Sequence, residues 1–327
     1  MQRVLVTGAG IIGSHIARRL VEQGREVLLV DLAPAHQHIA SIVDPASLHI
    51  AQADVTDAVA LVTLAERYHI ESVIHTAAML TGPSLQQPAR AVAVNIGGAI
   101  NVMELARRGI VRRVILAGST TCQYPTFNRS ASPSIPEDFQ INVVSQAPRS
   151  IYSATKLAME FLAWNYVDLF GIDVGVVRYA AVLGAWSGPN VGIISRLLKS
   201  LLEPASRGQT AVIDDPNQVW EGIEEFVDAR DCAVGSIGAL DAPALPSRVY
   251  HLTNPTGYTF EQFIETVKVI YPQLRVDQQV RAQGGLANFP WPRSALSDIT
   301  AAQLDFGYKP TYSLHQSLEY FGGLLMR

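Results

Sequence analysis

The first strand of this chain and the turn that follows constrain its fold more than anything else in the sequence. Val4-Leu5-Val6-Thr7 is a short apolar run. It leads into Gly8-Ala9-Gly10-Ile11-Ile12-Gly13, and Ile12, Ile16 and Leu20 then recur at helical spacing until Gly24. A G-x-G-x-x-G turn between a strand and a helix assigns each glycine a task. Gly8 permits the tight turn, Gly10 lets backbone approach a pyrophosphate, and Gly13 lets the helix pack close to the strand. The N–H groups of the first helical turn, at Ile11, Ile12 and Gly13, then face the phosphates. Glycines alone also make ordinary turns, so the context decides. Asp31 ends the next apolar run, 18 residues beyond Gly13. There its carboxylate accepts hydrogen bonds from ribose hydroxyls and repels a 2′-phosphate. No Arg or Lys lies between Val27 and Arg67 to receive that phosphate, so the pattern favours NAD over NADP.

Downstream, short apolar runs alternate with amphipathic stretches. Strands are predicted over Arg3–Thr7, Glu26–Asp31, 48–53, 72–76, 113–118 and Asp173–Tyr179, and helices over 11–23, 57–68, 88–108 and 152–170. Such alternation implies an α/β fold with a doubly wound parallel sheet of the Rossmann type and right-handed crossovers. Residues 121–149, which hold Pro125, Pro133, Pro136 and Pro148, interrupt the rhythm with a long loop expected to wall the site, together with 214–225. Beyond Gly184 the pattern is irregular, with helices at 193–202 and 259–271. The expected division is a dinucleotide-binding domain over 1–184 and a smaller, irregular substrate lobe over 185–327, some segments of which return to the sheet.

Composition narrows the function. Of 327 residues, 48% are hydrophobic and 17% charged, enough for a packed core. Lys plus Arg is 25 against 29 Asp plus Glu, a net charge of −4 that offers neither the basic footprint of a nucleic-acid binder nor a polybasic membrane anchor. No apolar stretch reaches the roughly 18 residues of a membrane span, and no apolar leader follows the N-terminus. A cytoplasmic protein is expected. Cys122 and Cys232 are too few for a disulfide framework or a zinc site, and His36 and His38 form no metal motif, so no metal is expected.

Tyr152-Ser153-Ala154-Thr155-Lys156 is the second chemical motif. On a helix, positions i and i+4 share a face, so the phenol and the ammonium project together. A fixed cation nearby favours the phenolate, and the expectation is that Lys156 lowers the Tyr152 pKa and makes it a usable general acid/base. The spacing is modest support alone and strong support when joined to the nucleotide fingerprint.

With both motifs in place, the chain resembles an extended short-chain dehydrogenase/reductase of the NAD-dependent epimerase/dehydratase type, over residues 1 to about 320. Thr7–Gly13 resembles the family's glycine motif, and Asp54-Val55 its adenine-contact segment. His75-Thr76-Ala77-Ala78 is similar to the strand end that lines the cofactor, and Asn95 to the family's V-N motif. The resemblance implies a catalytic hydroxyl at Thr120, with Ser119 second, beside Tyr152 and Lys156. The segment 178–184 resembles the strand end next to the nicotinamide, which implies cofactor contacts at Tyr179 and Val182. Glu225–Asp231 and the C-terminal Phe306-Gly307-Tyr308-Lys309-Pro310 also resemble family segments. The implied chemistry is hydride transfer between a substrate carbon and NAD. In it Tyr152 moves the hydroxyl proton, Lys156 bonds the nicotinamide ribose, and Thr120 orients the substrate oxygen. His75 is expected to be a core histidine.

The departures bear on the substrate. Sugar-nucleotide dehydratases of the family place Asp and Glu after the catalytic Thr. Here those positions are Thr121 and Cys122, so dehydration is not expected. Nucleotide-sugar epimerases usually carry a diphosphate-binding Arg where this chain has Glu224, beside Glu225, and an Asn where it has Ala181. The reading is therefore a dehydrogenase of a small polar substrate: a sugar, sugar acid, hydroxy acid or amino alcohol. Ser119, Arg149 and Tyr179 are candidate orienting groups. The alternative is a sugar or nucleotide-sugar epimerase that retains its NAD. A third reading, a non-catalytic NAD-sensing module, fits poorly because Tyr152 and Lys156 are both kept. The resemblance also implies a homodimer through the helices 88–108 and 152–170.

Overall fold

The computed structural model describes residues 2–126, 128, 134–141, 145, 150–186, 188 and 191–325. Its strands are β1 (Arg3–Thr7), β2 (Glu26–Asp31), β3 (His49–Gln52), β4 (Ser72–His75), β5 (Arg113–Ser119), β6 (Ser134–Ile135) and β7 (Asp173–Tyr179), followed by β8 (Ala181–Leu183), β9 (Thr210–Ile213), β10 (Glu224–Asp228), β11 (Val249–Leu252), β12 (Gly257–Tyr258), β13 (Arg275–Gln278) and β14 (Leu296–Ser297). Seven of them form one sheet in the order β11-β7-β5-β4-β1-β2-β3, paired in parallel throughout. This is the expected Rossmann-type, doubly wound arrangement.

The apolar runs explain it. Every residue of β5 is buried, as are four of the five in β1, so both faces need a helical layer. On one face the helices Ile11–Glu22 and Ala229–Asp241 pack through Ile16, Leu20, Ile237 and Leu240. On the other, Leu61, Val102, Met103 and Met159 come from the helices Ala58–Arg67, Gly98–Arg107 and Ile151–Phe170. The predicted helix over 88–108 contains a π-helical segment, Ala93–Gly97, between Pro88–Val92 and Gly98–Arg107. The wider turn brings Asn95 inward.

Past β7 the chain builds a second apolar cluster. The helices Ile193–Ser206, Phe260–Ile270 and Leu314–Leu325 enclose Trp220, Phe226, Phe260 and Phe263, with Trp220 edge-on to Phe260 at 5.1 Å. The chain also returns to the main sheet, where β11 pairs with β7 and the Ala229–Asp241 helix covers it. That helix has little apolar periodicity because it is rich in Gly and Ala. Close approach requires this, since a Cβ at Gly235 would stand 2.5 Å from Leu252. No helix among the described residues is long and apolar enough to cross a membrane.

Strand order reverses between β1 and β4. The carboxyl ends of β1, β2, β4, β5 and β7 open there onto one cleft, as expected at a topological switch point.

Candidate active site

The cleft has a volume of about 610 Å³. One end is built largely from backbone. Gly8 holds φ +90°, a conformation that favours glycine, and donates its N–H to Val30 O at 2.7 Å, tying the turn to β2. A Cβ at Gly13 would drive into the Gly8 carbonyl, whereas one at Gly10 meets nothing within 4 Å. Gly10 therefore leaves open space at the start of a helix whose N-terminus has no side-chain cap. Thr76 Oγ1 donates to the carbonyls of Thr7 and Gly8 at 2.9 and 3.0 Å and locks the turn onto β4. Asp31 accepts from Ala9 N–H at 2.8 Å and Ala33 N–H at 2.9 Å, which places its carboxylate at the mouth of the glycine turn. Asp54 accepts from Thr56 N–H and hydroxyl and pairs with Arg90 at 2.5 Å.

The helix that carries Tyr152 and Lys156 starts where it does because Ser150 caps it, accepting the Ser153 N–H at 3.1 Å. Tyr152 lies in its first turn and lines the cleft. Its side chain hydrogen-bonds Ser119, whose Oγ accepts from Thr121 N–H and Oγ1 at 3.2 and 2.9 Å. Thr120 lines the cleft beside it. The hydroxyl that meets the phenol is thus that of Ser119, with Thr120 next to it in the lining. Lys156 is buried, with Nζ 5.7 Å from the Tyr152 ring centre, and donates to Ala117 O at 2.6 Å. Burial pushes the Tyr152 phenol up to about 12, against the Ser119 hydrogen bond, and brings the Lys156 ammonium down to about 8, against the charge of Glu160. The expectation that Lys156 lowers the Tyr152 pKa is therefore not met: desolvation of the phenol outweighs a cation committed to a backbone carbonyl.

The opposite end is assembled from distant segments. Tyr124, Trp186, Ile193, Arg196, Leu286 and Phe289 close it, and the Tyr124 and Phe289 rings lie 4.3 Å apart. Behind Tyr124 sits a buried charge cluster. Tyr124 donates to Glu224 Oε2 at 3.2 Å, Arg293 pairs with Glu225 and lies 3.7 Å from Glu224, and Ser297 donates N–H and hydroxyl to Glu225 at 2.6 and 2.9 Å. Burial pushes Glu224 up to about 6 despite Arg293.

Comparison with known proteins fits this geometry. The NAD dependent epimerase/dehydratase family matches residues 4–252. The chain belongs to that family. It is 28% identical over 328 residues to a UDP-glucuronate 4-epimerase of Thermodesulfobacterium geofontis, covering 96% of this chain and 93% of that one. Among solved structures, an L-threonine dehydrogenase from Cupriavidus necator superposes with TM-score 0.80 at 24% identity, covering 99% of each chain. A Bacillus cereus UDP-glucuronic acid 4-epimerase in complex with UDP-glucuronic acid and NAD gives 0.78 at 23% identity, again over 99% of each. At such identities the two structures share the fold.

The family's cofactor is NAD, and the residues fit it: an open glycine cradle, an uncapped helix N-terminus and a strand-end carboxylate face one cleft. Of the residues expected around it, Gly8, Gly10, Ile11, Ile12, Gly13, Asp31, Asp54, Val55, Thr76, Ala77, Ala78, Tyr152, Tyr179 and Val182 line the cleft. Asn95 and Lys156 are not among its lining residues. Asn95 is buried and holds Met79 through both backbone groups and Thr155 Oγ1 at 2.9 Å, so it braces the helix that carries Tyr152. Tyr179 lines the wall, but its hydroxyl is spent on Ser236 at 2.6 Å and is not available as an orienting group. His75 is buried against Thr7 Oγ1 at 2.6 Å, and burial, then the Lys156 charge, bring it down to about 3. The 214–225 segment, expected as a wall, is replaced by Trp186, 191–196 and 286–289. Arg149 lies outside the described residues. Sequence reading also missed Arg90, which sits far from Asp54 in the chain but beside it in the fold.

Proposed function

We propose that this enzyme is an NAD-dependent dehydrogenase of a small hydroxylated substrate: a sugar, sugar acid, hydroxy acid or amino alcohol. The observation that carries this reading is the buried Glu224–Arg293–Glu225 cluster. Where sugar-nucleotide epimerases resemble one another in presenting an Arg to a diphosphate, this chain has Glu224, and the guanidinium closest to it is engaged by two carboxylates. The cations among the described lining residues are Arg90, paired with Asp54, and Arg196, 4.0 Å from Asp215. A diphosphate brings at least two negative charges into this end of the cleft, where Arg196, half-exposed and 4.0 Å from Asp215, is the one cation among those residues.

NAD supplies the hydride acceptor when bound. The protein's part is proton transfer and positioning. Tyr152 Oη exchanges the proton of the substrate hydroxyl, and Ser119 and Thr120 hold the substrate oxygen against it. A phenol at about 12 is protonated at neutral pH and can serve as the proton donor to a carbonyl. As a base it loses that proton against the cost of burying the phenolate. Dehydration is disfavoured because Thr121 is bonded to Ser119, and burial pushes the Cys122 thiol far up, leaving no acid/base pair after Thr120.

The residues 1–184 hold the cofactor in this reading and 185–327 supply most of the substrate wall. The assembly is a homodimer: Phe161 is 61% exposed on the catalytic helix and Val92 47% exposed on its neighbour, an apolar face suited to a second copy. A monomer by light scattering defeats that assignment.

An epimerase that oxidises and re-reduces one carbon is the second reading, favoured by the epimerase names of the relatives. Denaturing protein purified without added cofactor and measuring the released nucleotide separates the two. Little nucleotide, with NAD binding on titration, supports the dehydrogenase. Near-stoichiometric NAD overturns it in favour of the epimerase.

A further inference from the structure

Tyr152, Lys156 and Glu160 recur every four residues and share the face of their helix turned to β5. The mechanism uses the first two. Glu160 is equally buried, and it sits on the next residue of the same strand. Lys156 Nζ donates to Ala117 O at 2.6 Å, while Glu160 Oε1 lies 3.2 Å from where a Cβ would project at Gly118. Gly118 is also the register partner of Arg178 on β7, whose Cγ lies 3.1 Å from the same point. The missing side chain at Gly118 thus makes the room in which Arg178 meets Glu160, Nε to Oε1 at 2.9 Å and Nη2 to Oε2 at 2.6 Å. Arg178 is fixed from behind by the Glu137 carbonyl at 2.8 Å and by the Phe139 ring at 5.1 Å.

We propose that Glu160, held in place by Arg178, is a positioning residue for the catalytic pair: its buried carboxylate keeps the Lys156 ammonium charged where it donates to Ala117 O, 5.7 Å from the Tyr152 ring. Glu160 shares the helix with Lys156 one turn away, whereas the guanidinium reaches the carboxylate from β7. The other groups around Lys156 do not supply that charge. His75 on β4 is buried and neutral, the Cys122 thiol in the turn after β5 is held protonated by burial, and Tyr152 is a neutral phenol. An ammonium removed from water with no carboxylate near it discharges.

The chain has four lysines, Lys156, Lys199, Lys268 and Lys309, so protein labelled at lysine Cε and Nζ gives four signals to follow by NMR as pH rises. Lys199→Arg, Lys268→Arg and Lys309→Arg, made singly, assign the others and leave Lys156. Glu160→Gln is expected to lower the Lys156 midpoint by about one pH unit, roughly a tenfold loss of the ammonium above the midpoint. Glu160→Asp, which keeps the charge, restores most of it. Where Glu160→Gln does not fold, the double variant Glu160→Gln/Arg178→Met removes both charges and is expected to lower the midpoint in the same direction, by less. An unmoved midpoint in whichever variant folds overturns the proposal. It rests on the reading of Tyr152 and Lys156 as the catalytic pair, which turnover tests separately. If Tyr152→Phe keeps full turnover, that reading fails and Glu160 has no catalytic pair to position, whatever the titration shows.

Discussion

The two ends of the cleft are built by different chemistry. At the cofactor end, backbone conformation does most of the work: a left-handed Gly8, an open Gly10, a helix start and one strand-end carboxylate, with Gly8 to Asp31 spanning a single βαβ unit. At the substrate end, side chains from positions 124, 186, 193–196 and 286–289 converge, backed by a charge cluster that spans positions 224 to 297. Backbone recognition tolerates few residue types and stays local in sequence. Side-chain recognition tolerates many and is scattered. In the proposed reading the first end therefore identifies the cofactor and the second selects the substrate.

The sharpest way to separate the two ends is Tyr152→Phe, which sits between them. Turnover should fall by roughly 10²- to 10⁴-fold, while NAD affinity stays nearly intact, since the phenol is not part of the glycine cradle. Retained turnover means that another group carries the proton. Next is Arg293→Met. It leaves Glu225 buried without its cation and should destabilise the fold by about 3–5 kcal/mol, read from denaturant unfolding. An unchanged unfolding midpoint would show that the cluster is not the electrostatic unit described here.

Acidification should move the two ends in opposite directions. His75, under the glycine turn, has an ordinary pKa of 6.5 and about 3 in the fold, so the folded state binds fewer protons between those values. Stability is lost as pH falls below 6.5, by about 2 kcal/mol at pH 5. Glu224 has the opposite sign. Its folded value of about 6 lies above the ordinary 4.5, so it returns about 1 kcal/mol between pH 6 and pH 5. Glu224→Gln should therefore steepen the acid loss and His75→Gln should flatten it, measured by unfolding midpoints at pH 7 and pH 5. Parallel slopes in both variants would contradict the assignment. The smallest effect is Gly10→Ala. Its added Cβ meets no protein atom within 4 Å, so thermal stability should hold while NAD affinity falls about tenfold from the blocked pyrophosphate approach. Gly13→Ala should do the reverse first, losing stability to the clash with the Gly8 carbonyl.

How much could be read in advance follows the same division. β1, β2 and β7 match their predicted bounds, and the helix from Ile11 and the helix bearing Tyr152 end within a residue of expectation, because their apolar periodicity and Gly or Ser terminators act over a few residues. The four-residue β11 and the Gly- and Ala-rich helix Ala229–Asp241 were not legible: their signal is closeness of packing, which a hydropathy pattern does not carry. Asn95 was found by its motif but its role was not, since its partners Met79 and Thr155 come from other elements. That Tyr152 meets Ser119 was not legible either, because the contact joins the end of β5 to a helix 33 residues further on.

By itself, then, the sequence determined the parallel sheet, the nucleotide turn, Asp31 and the Tyr152–Lys156 pair, because each is specified by neighbours within one strand, turn or helix. The tertiary structure decided that Tyr152 meets Ser119, that Lys156 donates a hydrogen bond to Ala117 O while Glu160 and Arg178 pair beside it, and that Glu224, Glu225 and Arg293 neutralise one another behind Tyr124. Charge and hydrogen bonding inside a fold depend on burial and on partners far away in the chain, and only packing brings those partners together.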